Sequence, residues 1–249
     1  MGGGVSSRLA TGVARLLAVL SCGVGSGACA AAVPSGVAEP EMSFPAPNHP
    51  VPRPLGNPAG DERTRDRDGE AALVLDALRI VPGMRVADLQ SGDGYYAVRI
   101  ARRLGAAGAV LVVESDAARF PLLRSRLDRS GFVGVRVIDG LPADPRLPPR
   151  SVDAAVLAFR YHEIRSPFEY LHRLQPAFAP GGRLGIVERD RPVEYGGTPP
   201  ALLRCELEAV GYRQVELIHL TPADGYLAVF EPPREPPEPV AIRACAPDR

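Results

Sequence analysis

From Arg85 onward, short continuous apolar runs alternate with longer stretches of helical spacing. Arg85–Leu89 follows Pro82-Gly83 and is apolar enough for a buried strand. Tyr95–Leu104 sets Val98, Ile100, Ala101 and Leu104 on one face and predicts a helix. Ala109–Glu114 is a Val-rich run of strand length, and 117–130 gathers Leu122, Leu123 and Leu127 on one side with arginines on the other. Strands are predicted at 133–138, 154–159 and 183–188, and a helix at 167–177. Thr198 can cap a further helix with Pro199 at its first position, ended by Gly211. The runs 215–220 and 226–230 then read as an antiparallel hairpin. A helix over 69–78 precedes the first strand. The expectation is a single α/β domain: a doubly wound, seven-stranded, mainly parallel Rossmann-like sheet with an antiparallel last strand.

That domain spans residues 61–231. Residues 33–60 read as a Pro-rich linker and 232–249 as a Pro-rich disordered tail, because Pro ends helices and leaves central strands. Residues 1–32 have the order of an export signal: Arg8 and Arg15, the apolar run from Leu16, then small residues to Ala32. Two processing routes fit, cleavage near Ala30 or lipid attachment at Cys22 within Val19-Leu20-Ser21-Cys22. The expectation is an exported protein, periplasmic or lipid-anchored, touching a membrane only through that lipid. The plainer alternative is an Ala/Gly-rich tail that stays inside the cell.

Charge narrows the chemistry. Lys and Arg together number 29, matching 29 acidic residues. That balance predicts no nucleic-acid partner. Every basic side chain is arginine, which excludes a catalytic lysine. No Cys-x-x-Cys or Cys/His cluster has metal-ligand spacing, so no metal site is expected. Cys205 and Cys245 can pair in an exported chain, and the sequence leaves their proximity open. A dinucleotide dehydrogenase lacks its third glycine here, a P-loop lacks its lysine, and no Gly-x-Ser-x-Gly elbow is present.

Ligands of open parallel sheets bind beyond the carboxyl ends of the strands. The first such loop is Asp88-Leu89-Gln90-Ser91-Gly92-Asp93-Gly94, and the second strand closes on Glu114. An acid there can accept both ribose hydroxyl protons, and glycines let backbone approach a ligand closely. Asp88 to Gly94, the spacing to Glu114, Pro180-Gly181-Gly182 and Tyr161-His162-Glu163 together resemble the class I S-adenosylmethionine-dependent methyltransferases, notably exported bacterial members, over about 61–230. The resemblance implies S-adenosylmethionine as cofactor and methyl transfer to a small-molecule acceptor. It implies cofactor contacts at Asp88, Gly92, Gly94, Tyr96 and Glu114, and catalytic roles for His162 and Glu163 facing the acceptor. The acid usual beside adenine is absent, leaving Asp139 or Asp144 to take its place, and Asp144 is the candidate carried forward. The pattern departs at Gln90, which stands where the family has its first glycine. A non-catalytic exported protein that keeps the fold for ligand or partner binding is therefore the second hypothesis. Plainer roles stand beside each candidate: Asp88 as a turn cap, Glu114 as a solvated strand end, Tyr96 and His162 as packing. His49, His172 and His219 read as structural.

Overall fold

A computed structural model describes Met1 and residues 43–51, 60–220 and 224–245. All but Met1 belong to one unit, Glu41–Arg249. The expected signal region, Cys22 and Cys29 lie outside the described residues.

Seven strands form one sheet in the order β3-β2-β1-β4-β5-β7-β6. They are β1 (Arg85–Leu89), β2 (Ala109–Glu114), β3 (Val135–Asp139), β4 (Val152–Ala158), β5 (Phe178–Arg189), β6 (Arg213–His219) and β7 (Gly225–Glu231). The pairs β1–β2, β2–β3, β1–β4 and β4–β5 are parallel. β7 runs antiparallel to both β5 and β6, so the expected doubly wound sheet with an antiparallel last strand is what the chain adopts. Between β1 and β4 the winding reverses, which opens the switch-point crevice at their carboxyl ends.

The helices are α1 (Glu62–Arg67), α2 (Glu70–Ala77), α3 (Tyr95–Leu104), α4 (Phe120–Ser130), α5 (Pro167–Leu174) and α6 (Pro200–Ala209). Successive strand residues face opposite sides, so each face carries its own core. Ala87 and Leu89 of β1 pack with Phe168 and Leu171 of α5 and with Leu203 and Leu207 of α6. Val86 packs with Val74 of α2 and with Ile100 and Leu104 of α3. Each such fully buried aliphatic side chain contributes about 1.5–3 kcal/mol.

Several boundaries differ from the sequence reading. β3 begins at Val135, because Val133 is exposed and only Val135 onward pairs with β2. β5 begins at Phe178, ahead of Pro180-Gly181-Gly182, and its register against β4 slips between Val152 and Ala154 to carry that turn as a bulge. Thr198 does not cap α6; Pro199 is the N-cap and the helix starts at Pro200. The charged segment Glu62–Arg67 is helical, which the sequence reading missed.

The tail needs the largest correction. Residues 232–245 are not disordered: Ile242 joins the core and Cys245 is buried. Gln175 Nε2 donates to the carbonyl oxygens of Pro233 (2.7 Å) and Arg234 (3.1 Å). Cys205 of α6 and Cys245 form a disulfide across 40 residues. The linker, too, is docked where it is described: Phe44 packs against the core, and His49 Nε2 lies 3.0 Å from Glu206 Oε1.

Candidate functional site

The strand ends bring Asp88, Gln90, Gly92 and Tyr96 around one cavity of about 310 Å³, closed on its far side by Arg65 and Phe159. A second cavity of about 140 Å³ lies beside Glu114, Ser115, Pro142 and Glu163. Gln90, Arg119 and Arg160 line both, so these three side chains form the wall between them.

Asp88 closes the buried core of β1, and Ser91 Oγ donates to its Oδ2 at 2.5 Å. Burial pushes its carboxyl up to about 7, against the opposing pull of the Ser91 hydrogen bond. Gln90 follows with a φ of +50°, the left-handed conformation a glycine adopts freely and other residues only at some cost. Its Oε1 accepts from Ser115 Oγ at 2.9 Å, which ties the end of β1 to the end of β2. Phe159, just past β4, has a φ of +54°. Both line the same cavity, while three further non-glycine residues at positive φ, Arg79, Arg146 and Arg150, line neither cavity.

Glu114 is 2% exposed, and its carboxylate is satisfied by backbone. Oε2 accepts from Gly92 N, and Oε1 from Ser115 N and Asp116 N, each at 2.8 Å. Glu114 is therefore the clamp that shapes the glycine loop, not a solvated strand end. A Cβ added to Gly92 would meet Arg119 Nη1 and Arg160 Nη2 at an ordinary 3.4 Å, so what asks for glycine there is its φ of +63°. Gly94, at φ +84°, is the N-cap of α3, and a Cβ on it would reach 2.9 Å from Leu123 Cδ1.

Tyr96 is buried and lines the larger cavity, its hydroxyl donating to Glu70 Oε1 at 2.8 Å. Glu70 also takes Arg65 Nη2 at 2.7 Å. Arg65 lies 3.6 Å over the Tyr95 ring centroid, and Arg99 lies 3.4 Å from the same centroid. Two guanidinium groups that close must cover opposite faces of the ring.

His162 and Glu163 sit in the turn after β4, and only Glu163 lines a described cavity. Asp144 lines neither; its Oδ1 accepts from Arg146 N at 2.7 Å and its Oδ2 lies 3.6 Å from Arg173 Nη1. Its side chain holds a turn of its own. Arg65, Arg119, Arg160 and Glu188 escaped the sequence reading. The arginines belong to no motif, and only the register of β4 against β5 places Glu188 beside the His162 turn. Among the described residues, no group of three or more His, Cys, Asp or Glu side chains is placed to hold a metal ion.

No family model matches the chain. It is 27% identical over 121 residues to the ubiquinone/menaquinone biosynthesis C-methyltransferase UbiE of Idiomarina loihiensis, covering 48% of each chain. It is 33% identical over 81 residues to a protein-L-isoaspartate O-methyltransferase of Methanococcoides burtonii, covering 32% of this chain and 40% of the other. The chain thus spans about half the length, or less, of these curated relatives. A solved S-adenosylmethionine-dependent methyltransferase from Aquifex aeolicus superposes with a TM-score of 0.62 at 21% identity, over 71% of this chain and 98% of that one. The fold is that of the class I methyltransferases. The curated relatives matched are a C-methyltransferase and an O-methyltransferase, similar to this chain in sequence over the part they share.

Proposed function

We propose that the protein binds S-adenosylmethionine at the carboxyl ends of β1 and β2 and transfers its methyl group to a small-molecule acceptor. The observation that supports this best is the clamp of Glu114 on Gly92 N, which sets Gly92 beside Asp88 in the wall of a cavity of about 310 Å³. Asp88 and Gly92 would hold the cofactor from that cavity, with Tyr96 in its wall, while Glu114 at the adjoining cavity and Gly94 at the start of α3 shape the loop. Bound there, the cofactor supplies an electrophilic methyl carbon. The chain's part is to orient it, exclude water and keep an acceptor in line, which is where such transfer gains most of its rate. Glu163 fits the acceptor side, since it is the acidic residue past β4 that faces a cavity.

The Cys205–Cys245 disulfide supports an exported location, because such bonds persist in oxidising compartments. Mass spectrometry of the native protein would then find the first residues missing, or a lipid on Cys22; an intact Met1 would overturn export. The cofactor reading is tested by calorimetric titration of the full chain with S-adenosylmethionine and S-adenosylhomocysteine. Both should bind with Kd well below about 1 mM, a binding energy beyond about 4 kcal/mol. No heat from either ligand would overturn the reading.

A further inference from the structure

Beneath Glu163 lies a buried acid–base array. The side chains of His162 and Glu188 are both fully buried, and Nδ1 stands 2.8 Å from Glu188 Oε2. A carboxylate only accepts, so Nδ1 carries the proton and donates it. Glu188 is held in place by two further donors, His162 N at 3.3 Å on the same oxygen and Arg189 N at 3.0 Å on the other. With Nδ1 protonated, a neutral ring leaves a bare lone pair on Nε2. That atom is buried and has no hydrogen-bond partner. Glu163 Oε1 lies 4.0 Å from it, beyond a direct hydrogen bond.

Arg160 Nη1 donates to both oxygens of Glu163 at 2.9 Å. Glu188 and Glu163 stand against Arg160, and Arg119 and Arg165 line the cavity that Glu163 faces. Tyr161 donates to Glu206 and Tyr226 to the Thr198 carbonyl, so neither phenol serves Nε2. A proton on Nε2 would engage that buried lone pair, which is costly to leave unmet.

We propose that His162, oriented by Glu188, is the acceptor of the proton that a methyl acceptor of the X–H type gives up through Glu163. This deepens, and rests on, the methyl-transfer reading. In that step the X–CH3 bond forms and the S–CH3 bond breaks, its electron pair remaining on sulfur. The X–H proton passes to a Glu163 oxygen and from there to His162 Nε2. The acceptor class is thus a hydroxyl, an N–H or a carbon acid, and not a thioether or a tertiary amine, which has no proton to lose. Glu163 is the group that faces the acceptor; His162 and Glu188 act through it.

The chain has four histidines, so nitrogen-15 spectra of histidine-labelled full chain can follow His162, assigned through His162→Gln. At neutral pH the wild-type ring should show a single tautomer, Nδ1 protonated and Nε2 bare. In Glu163→Gln the Nε2 resonance should shift while Nδ1 stays protonated, because the carboxylate nearest to Nε2 is gone. Glu188→Gln should release the ring from its single tautomer. Glu163 is near the surface of the array, so Glu163→Gln remains informative if Glu188→Gln does not fold. An Nε2 resonance unchanged in Glu163→Gln, or a wild-type ring that shows both tautomers, would overturn the proposal as mere packing. The same samples titrated with S-adenosylhomocysteine separate the two ideas. Binding with a silent Nε2 sinks the relay and leaves the methyl-transfer reading. A responsive Nε2 without binding overturns that reading, and with it the acceptor assignment.

Discussion

Gln90 sits at φ +50° with its side chain tied to Ser115, in the wall between the two cavities. A ligand spanning both cavities has to displace that side chain. Gln90→Gly should therefore tighten S-adenosylmethionine binding tenfold or more, about 1.4 kcal/mol, as read by calorimetry. Unchanged or weaker binding would mean that the glutamine itself contacts the ligand. Asp88 offers a test by pH. Burial raises its folded value to about 7, above the ordinary 3.8, so the folded state binds more protons between these values. The stability this contributes is complete below about pH 4 and is lost as pH rises through about 7, by roughly a few kcal/mol. Asp88→Asn should flatten the fall in urea midpoint between pH 4.5 and 7.5, and an unaltered slope would refute the assignment. These positions were legible in the sequence because acid, glycines and strand end fall in a tight order. The partners of Glu114 and His162 were not legible, since backbone N–H groups and a strand-end acid leave no mark in composition.

Among the elements, β1, α3 and β2 have the bounds their apolar pattern implies, because each is buried on defined faces. β3 is one of the two edge strands and only half-buried, so its hydrophobic signal blurs and its start differs from the expected one. α1 was invisible for a different reason. Glu62-Arg63-Thr64-Arg65-Asp66-Arg67 has no apolar stripe; it is held by ion pairs, Glu62 with Arg126, Asp66 with Arg99, and Arg65 with Glu70. The last is the buried one, with side chains 8% and 7% exposed. Arg65→Ala leaves Glu70 buried without its cation and should cost about 3–5 kcal/mol in urea unfolding. The loss of a merely exposed pair, under about 1 kcal/mol, would show that water replaces the guanidinium.

Across the whole molecule, the tail that reads as Pro-rich and loose is fastened to α6. Proline content says that a segment is not helix or strand; it does not say that the segment is unpacked. The Cys205–Cys245 bond closes a loop of 40 residues, worth about 4 kcal/mol by chain entropy. Cys245→Ser, or a reductant acting on the wild type, should lower the urea midpoint accordingly, and no change with either would show that tail packing holds without the bond. The same bond, His49 and Tyr161 converge on α6, where Glu206 accepts from Tyr161 at 2.8 Å and His49 lies at 3.0 Å. Both ends of the described domain are thereby fixed to one helix, α6, which packs against α5 and β6.

The covered ring of Tyr95 bears on molecular shape recognition. With Arg65 at 3.6 Å and Arg99 at 3.4 Å from its centroid, neither aromatic face is open. Tyr95 can show the larger cavity only its rim. A flat heterocycle entering there finds no aromatic platform on that side; the π-surface is already shielded by cations, and the wall is felt as positive charge and edge hydrogens instead.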